Sequence, residues 1–96
     1  MTFIIHARGF DLENELQLFV EACLRTLLSL PVKISEVRVT LGSDGIDIRT
    51  PKCCQLYLMA GNASHSIIQY AASYEEAVLR SVQEMNAKMH KLFSGN

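Results

Sequence analysis

The sequence predicts an α+β fold with the element order β-α-β-β-β-α, in which a four-stranded mixed sheet carries two helices packed on one face. Two stretches with apolar residues every three or four positions predict the helices. Three stretches with apolar residues at every second position predict strands, and a fourth strand follows a glycine-containing turn. At 96 residues the chain suits one core of this kind, so we expect residues 1–96 to form a single domain.

The first strand is predicted over Thr2–Arg8, and the first helix follows it. Gly9 ends the strand, and Asp11 is a candidate cap because its carboxylate can accept hydrogen bonds from the first N–H groups of a helix. Pro31 disfavours helical geometry in the residue before it, so the helix ends at Leu30 or earlier. The apolar stripe of this helix consists of Leu12, Leu16, Phe19, Val20, Cys23, Leu27 and Leu30.

Three further strands and a second helix complete the predicted fold. The strands lie near residues 36–41, 55–60 and 65–71, with a long loop over 42–52 and a tight turn at Gly61-Asn62. Ser73 and Glu76 form a capping box at the start of the second helix. Its stripe consists of Val78, Val82, Met85, Met89 and Leu92. A helical crossover makes the first two strands parallel, and short connections make the others antiparallel.

In this arrangement the helices cover the sheet face that carries Phe3, Ile5, Val37 and Val39. The predicted core between the layers includes Leu16, Phe19, Val82 and Met85.

Composition and motifs exclude several classes of protein. No apolar run reaches the roughly 18 residues that cross a bilayer, and no secretory leader is present, so we expect a cytoplasmic protein with no membrane partner. Catalytic motifs are missing, and residues 44–47 are interpreted as a turn, so we expect no enzymatic activity and no cofactor. No metal-ligand spacing or C-x-x-C pair occurs among His6, His65, His90, Cys23, Cys53 and Cys54, which favours a reducing compartment and no metal.

Four segments match a known family: FIIHARGF in the first strand, the pattern of Leu16, Phe19, Val20, Ala22 and Leu27 in the first helix, ISEVRVTL in the second strand, and SYEEAV at the start of the last helix. Through them the sequence resembles a short ribosome hibernation-promoting factor. The same family contains the ribosome-associated inhibitor and the sigma-54 modulation proteins. The resemblance covers almost the whole chain.

The resemblance implies both a fold and a function. Members of the family are similar in layout to double-stranded-RNA-binding domains, and they bind the small ribosomal subunit in the channel of messenger and transfer RNA. The resemblance therefore implies a hibernation factor that binds the small ribosomal subunit and its rRNA, not DNA, and reversibly inhibits translation in idle cells. With only three residues after Phe93, the chain resembles the short members, which work beside a separate partner protein.

Candidate RNA-binding residues are cations, because phosphate contacts dominate the affinity of proteins for RNA. Arg8 and Arg38 lie on the mixed faces of the first two strands, and Lys33 precedes the second, so they form a basic patch if those strands are neighbours. Lys91 has no acidic residue four positions before it and coincides with a lysine of the family. The full candidate set is Arg8, Lys33, Arg38, Arg80, Lys88 and Lys91.

Some helix cations have an alternative interpretation. Three acid–base pairs are spaced i, i+4: Glu21 with Arg25, Glu76 with Arg80, and Glu84 with Lys88. Each can be an intrahelical ion pair that contributes about 0.2–0.5 kcal/mol instead of a contact to RNA.

A second hypothesis keeps the fold without the ribosome. The net charge is −1, and neutral or acidic residues occupy basic positions of the family: Gln17, Cys23, Thr26, Glu84 and Ala87. Tyr57 and Met59 project from the sheet face away from the helices, together with Ile4 and either Ile67 or Ile68. Tyr57 either stacks on a base or packs across strands. The alternative function is that of a homodimerising or partner-binding protein module, with Tyr57 and Met59 at the interface.

Overall fold

The computed structural model describes residues 2–43 and 50–93. Its elements are β1 (Thr2–Arg8), α1 (Asn14–Arg25), a 3-10 helix (Thr26–Ser29), β2 (Ile34–Ser43), β3 (Lys52–Ala60), β4 (Ala63–Ala71) and α2 (Tyr74–Phe93). The strands are ordered β1-β2-β3-β4, with β1 parallel to β2 and the other pairs antiparallel. The predicted element order and mixed sheet are confirmed. The turn predicted at residues 44–47 lies outside the described residues.

The core lies between one face of the sheet and the two helices. Alternation along β2 and β3 directs Val37, Val39, Leu41, Leu56 and Leu58 to this face, and all five are fully buried. Phe3 and Ile5 of β1 pack against the same cluster. Both helices therefore cover the predicted face, and the opposite face of the sheet has no helix on it in the described structure.

The first helix begins later than predicted. Its N-cap is Glu13, which has extended backbone angles and makes no side-chain cap hydrogen bond, so the capping role predicted for Asp11 is wrong. Gly9, at φ +86°, turns the chain out of β1, and the next residues carry the Phe10 ring onto Tyr74 of α2. The two rings stack with centroids 4.6 Å apart. Residues 10–12 thus lie between β1 and α1 with the Phe10 ring packed on α2, and the helix begins only after Glu13.

The buried stripe of α1 is rotated from the predicted one. Val20 and Leu24 are fully buried, and Leu27 in the following 3-10 helix continues the stripe. Leu24 was missing from the predicted stripe. Leu16 and Phe19, predicted to be buried, are only half-buried at its margin. Val20, Leu24 and Leu27 are spaced by four and then three residues, so they lie on one side of the helix, and that side faces the sheet. The first turn of α1 then lies beside the start of α2.

The second helix follows its prediction more closely. The Ser73 hydroxyl accepts a hydrogen bond from the Glu76 N–H at 3.1 Å, which is one half of the predicted capping box. The other half is not formed, because the Glu76 carboxylate bonds to Arg80. Val82 and Met85 are buried as predicted. Leu92 is 54% exposed, so its predicted place in the buried stripe is wrong, because the last turn of α2 extends past the core.

Leu24→Ala should cost about 2–5 kcal/mol of unfolding free energy, because it leaves a cavity in a fully buried site. Leu18→Ala, the same substitution six residues earlier on a side chain that is 62% exposed, should change this free energy by no more than about 0.5 kcal/mol. Denaturant unfolding of both variants measures the difference. Similar losses in the two variants would show that the orientation of α1 is wrong.

Candidate functional site

The sheet face opposite the helices, here called the open face, carries side chains in ordered rows. Because residues paired in register project to the same side, the strand pairing places Ile4, Arg38, Tyr57 and Ser66 in one row across the four strands. The pairing also puts Ile68 on the open face and Ile67, opposite Leu56, on the helix side. The predicted positions of Tyr57 and Met59 on this face are confirmed.

Arg38 lies near the centre of the open face and has two partners. Its Nη2 is 2.7 Å from the Oε2 of Glu36, and its guanidinium carbon is 5.3 Å from the centre of the Tyr57 ring. Both contacts are partly exposed, so each stabilises the fold by no more than about 1 kcal/mol. They orient the guanidinium along the sheet. Tyr57 packs across strands, which is one of its two predicted roles.

A shallow groove of about 190 Å³ lies beside Arg38 on the open face. Every side chain that lines it can donate a hydrogen bond: Arg38, Thr40, Gln55, Tyr57 and Ser66. Phosphate and ribose oxygens are acceptors, so this set of donors suits the backbone of a nucleic acid.

Arg8 lies at one end of the open face, across the backbone of Gly42. A Cβ atom at Gly42 would stand 3.1 Å from the Nε of Arg8 and 3.2 Å from its Nη2, so glycine makes room for the flat guanidinium. Arg8 pairs with Gly42, which is four residues along β2 from Arg38. The two cations therefore stand about 13 Å apart along the strands. The prediction that β1 and β2 are neighbours is confirmed. The row of His6 and Thr40 separates Arg8 from Arg38, so the two cations are not in contact.

Lys33 lies beyond the other end of the open face. It is exposed just before β2, and its carbonyl accepts a hydrogen bond from the N–H of Gly61 at 3.2 Å. Gly61 has φ +63° at the first position of the two-residue turn between β3 and β4, where a type II′ turn requires glycine. This bond ties the start of β2 to the hairpin and fixes the position of the Lys33 backbone.

The cations of α2 are in two different states. Arg80 is held by the Glu76 carboxylate at 2.7 Å and by the carbonyl oxygen of Tyr70 at 3.2 Å. Lys88 and Lys91 are exposed, and neither has a salt bridge in the described part of the chain. Lys88 is unpaired because Glu84 accepts a hydrogen bond from the Gln69 amide at 2.5 Å instead.

Only one of the three helical ion pairs considered from the sequence is formed. That pair is Glu76–Arg80. Glu21 accepts a hydrogen bond from Gln17 at 3.2 Å rather than pairing with Arg25. Spacing alone could not reveal that the two glutamines compete for these carboxylates.

Negative charge is concentrated in a groove of about 420 Å³ on the helix side of the sheet. Its floor is formed by Phe10, Leu16, Phe19 and Tyr74, and its rim carries Asp11, Glu13, Glu15 and Glu75. The sequence did not predict this groove, because it forms only when the first turns of the two helices meet. The carboxylates thus lie away from the open face.

The cysteines offer no sign of catalysis. Cys54 is buried beneath α2, and burial raises the pKa of its thiol to about 11, while Cys53 points to the open face. Burial also raises the pKa of Cys23. No group of three or more His, Cys, Asp or Glu side chains within residues 2–43 and 50–93 is arranged to hold a metal ion. Neither helix is both long enough and apolar enough to cross a membrane.

Comparison with known proteins identifies the fold. No protein-family model matches the sequence, and no curated protein matches it. A ribosomal subunit interface protein from Coxiella burnetii superposes with a TM-score of 0.81 at 11% identity, over 98% of this chain and 99% of that chain. The chain has the fold of a ribosomal subunit interface protein. The N-terminal domain of Protein Y from Thermus thermophilus gives a TM-score of 0.80 at 14% identity, over 95% and 99% of the two chains.

This likeness confirms the predicted resemblance at the level of the fold. At 11% and 14% identity it concerns the path of the backbone and not the surface side chains. Which residues would contact a partner must therefore be argued from the open face and the cations described above.

At neutral pH, iodoacetamide should modify Cys53 well before Cys54. The raised pKa of Cys54 makes its reactive thiolate scarce, and α2 blocks access to it. Mass spectrometry of the modified peptides measures the order, with Cys53→Ser as the control that removes the fast site. The same shift has a consequence for stability. The pKa of Cys54 is raised from 9.0 to about 11 in the folded protein, so the folded state becomes less stable relative to the unfolded state as the pH rises from about 9 to 11. Equal modification of both thiols would contradict the burial of Cys54.

Proposed function

We propose that this protein is a non-enzymatic, ribosome-associated hibernation factor that binds the small ribosomal subunit through its rRNA and reversibly inhibits translation in idle cells. The observation that carries the proposal is the near-complete structural match to a ribosomal subunit interface protein. The open face supports it independently, because its central groove is lined entirely by hydrogen-bond donors.

In this proposal Arg38 is the central RNA contact. Its guanidinium is already held over the Tyr57 ring, so less conformational freedom is lost when it meets a phosphate. The exposed bond to Glu36 is weak enough to be exchanged for a phosphate contact. Thr40 and Ser66 add hydroxyl groups that can bond to ribose or phosphate oxygens.

The remaining candidates surround this centre on different elements. Arg8 and Lys33 extend the contact to the two ends of the open face, and Lys88 and Lys91 add unpaired charges beside β4. Arg80 is the weakest candidate, because an RNA contact must replace both its ion pair and its bond to a backbone carbonyl. This arrangement predicts a broad contact with several separate phosphates rather than one dense basic patch.

Charge reversal tests the contact surface. Arg38→Glu and Lys91→Glu together should abolish co-sedimentation with small ribosomal subunits at low salt, while the circular dichroism spectrum stays unchanged. Arg25→Glu is the control, since Arg25 is also an exposed helix cation without a salt bridge but lies outside the proposed surface. If the double variant still co-sediments fully, the proposed surface is wrong. If the wild type never co-sediments, the ribosome proposal fails.

The salt dependence of binding counts the phosphate contacts. Each contact removed should lower the slope of log affinity against log salt by about 0.7–0.9, so Lys91→Glu should reduce it by about one such unit. Filter binding to small subunits over a range of KCl concentrations measures the slope. The slope of Arg25→Glu should match that of the wild type, and an equal reduction in both variants would show that only net charge matters.

A second candidate function is a homodimerising or partner-binding module. The favouring observation is apolar exposure on the open face, where Ile4 is 37%, Ile68 51% and Tyr70 52% exposed. Tyr57 lies in the same row as Ile4, Met59 lies in the next row towards the β3–β4 turn, and both are half-buried.

Replacing Tyr57 and Met59 with Ser should convert dimers into folded monomers if the module forms dimers through this face. Sedimentation velocity of wild type and variant measures the change. A wild-type protein that remains monomeric at high concentration would rule out a homodimer on this face.

A further inference from the structure

The outer edge of β4 lacks the protection that sheet edges ordinarily carry. β4 is the last strand in the described sheet, so one side of its backbone faces no neighbouring strand. Its nine residues, Ala63–Ala71, include no Lys, Arg, Asp, Glu or Pro, and its pairing with β3 has no register shift. Natural edge strands usually carry charges, prolines or bulges that prevent further pairing. The other edge strand, β1, is shorter and ends in Arg8.

The direction of the β4 backbone groups can be read from one hydrogen bond. The carbonyl oxygen of Tyr70 accepts from the Arg80 side chain, so it points away from β3. Inward and outward groups alternate along an antiparallel strand. The N–H and C=O groups of Ser64, Ser66 and Ile68 therefore also point outward, and none of them has a backbone partner in the described structure.

A groove of about 550 Å³ runs along this edge, between β4 and α2. Ile67 and Ala87 provide apolar surface in it, while Lys88 and Lys91 stand on the α2 side. Glu84 also lines the groove, but its carboxylate is bonded to Gln69. The groove therefore combines an unpaired strand edge, an apolar surface and two cations without carboxylate partners.

The polarity of the groove follows from two contacts. Arg80 meets Tyr70 and Glu84 meets Gln69, so residue numbers rise along α2 as they fall along β4. Lys88 and Lys91 come later in α2 and line the groove with Ser66, Ile67 and Ile68, which come earlier in β4. A strand added antiparallel to β4 would run in the same direction as α2. Its C-terminal end would then lie next to Lys88 and Lys91.

We propose that the β4 edge binds an extended peptide from a partner protein as a fifth, antiparallel strand, with acidic residues at the C-terminal end of that peptide held by Lys88 and Lys91. The backbone of Ser66 and Ile68 supplies the strand pairing, which is a common mode of peptide recognition. The charge of the two lysines selects the sequence and the direction of the peptide. The site shares Lys88 and Lys91 with the ribosome proposal, but it also requires the outward backbone groups of β4, which the ribosome proposal does not use.

The decisive variant is Ile68→Pro, which removes the outward N–H of Ile68 and leaves the bonds to β3 in place, since those come from the residues that point inward. Ile68→Thr is the matched control, because it also replaces the exposed side chain but keeps the N–H. The probe is a fluorescent peptide of alternating Thr and Val that ends in two Glu residues. A second probe has the two Glu residues at its N-terminal end instead.

The wild type and Ile68→Thr should bind the first probe, and the second probe should bind about tenfold more weakly. Ile68→Pro should lose binding while it keeps a folded spectrum, and Lys88→Glu with Lys91→Glu should weaken the first probe to the level of the second. Binding should slow amide hydrogen exchange at Ser66 and Ile68. If Ile68→Pro is unfolded, exchange in the wild type decides the test, and unchanged exchange overturns the proposal.

Other outcomes also overturn it. Equal binding of the two probes refutes the charge-selected direction, and undiminished binding to folded Ile68→Pro refutes strand addition. Dimers of the wild type that Ile68→Pro dissociates would identify a second copy of the chain as the occupant. Ile68→Pro should keep ribosome co-sedimentation, so failure of the peptide site and failure of the ribosome proposal give different results.

Discussion

The one-sided packing of the two helices on the central strands is the constraint on which the rest of the structure depends. Val37, Val39, Leu56 and Leu58 are fully buried beneath them, and burial of such side chains is the main stabilising contribution available to a chain of this size. Because both helices are used on one face, the other face must be stable in contact with solvent. Its centre therefore carries side chains that hydrogen-bond or stack, such as the Arg38–Tyr57 pair, and apolar side chains such as Ile4 and Ile68 lie exposed on its outer strands.

The same constraint fixes the edges of the sheet. Four strands in the order β1-β2-β3-β4 bury β2 and β3 between neighbours and leave β1 and β4 outside. α2 packs on the helix side of β4, and among the described residues it is the Arg80 side chain that reaches an outward backbone carbonyl of the strand. The outward groups of Ser66 and Ile68 are thus a consequence of the layer arrangement, and the absence of charge on β4 leaves them accessible.

Much of the fold could be predicted from the periodicity of apolar residues. The orientation of α1 about its own axis could not, and neither could the glutamine side chains that bond to Glu21 and Glu84 in place of a cation. Alternation placed β1 at its observed bounds and assigned the faces of β2 and β3. Alternation within the fourth strand does not by itself choose between Ile67 and Ile68, but a two-residue turn at Gly61-Asn62 sets Ile67 opposite Leu56. The orientation of α1 was harder to predict, because its stripe is broad and only contact with the sheet selects Leu24 over Phe19.

The candidate site was less predictable than the fold, because binding depends on where each charge lies and not on the sum. A net charge of −1 suggests a poor ligand for RNA. Interactions between exposed charges are largely screened beyond about 8–10 Å at physiological salt. A polyanion such as RNA is therefore attracted or repelled by the charges close to it and not by the net charge of the whole protein.

Within the described residues, four carboxylates rim the groove on the helix side, and Glu21 and Glu84 are each bonded to a glutamine amide. The first four carboxylates lie away from the centre of the open face, and the other two are engaged in local hydrogen bonds. Glu36 is the exception, since it lies beside Arg38 itself. In the proposed function, the strength of RNA binding would therefore depend first on how readily that one exposed ion pair opens.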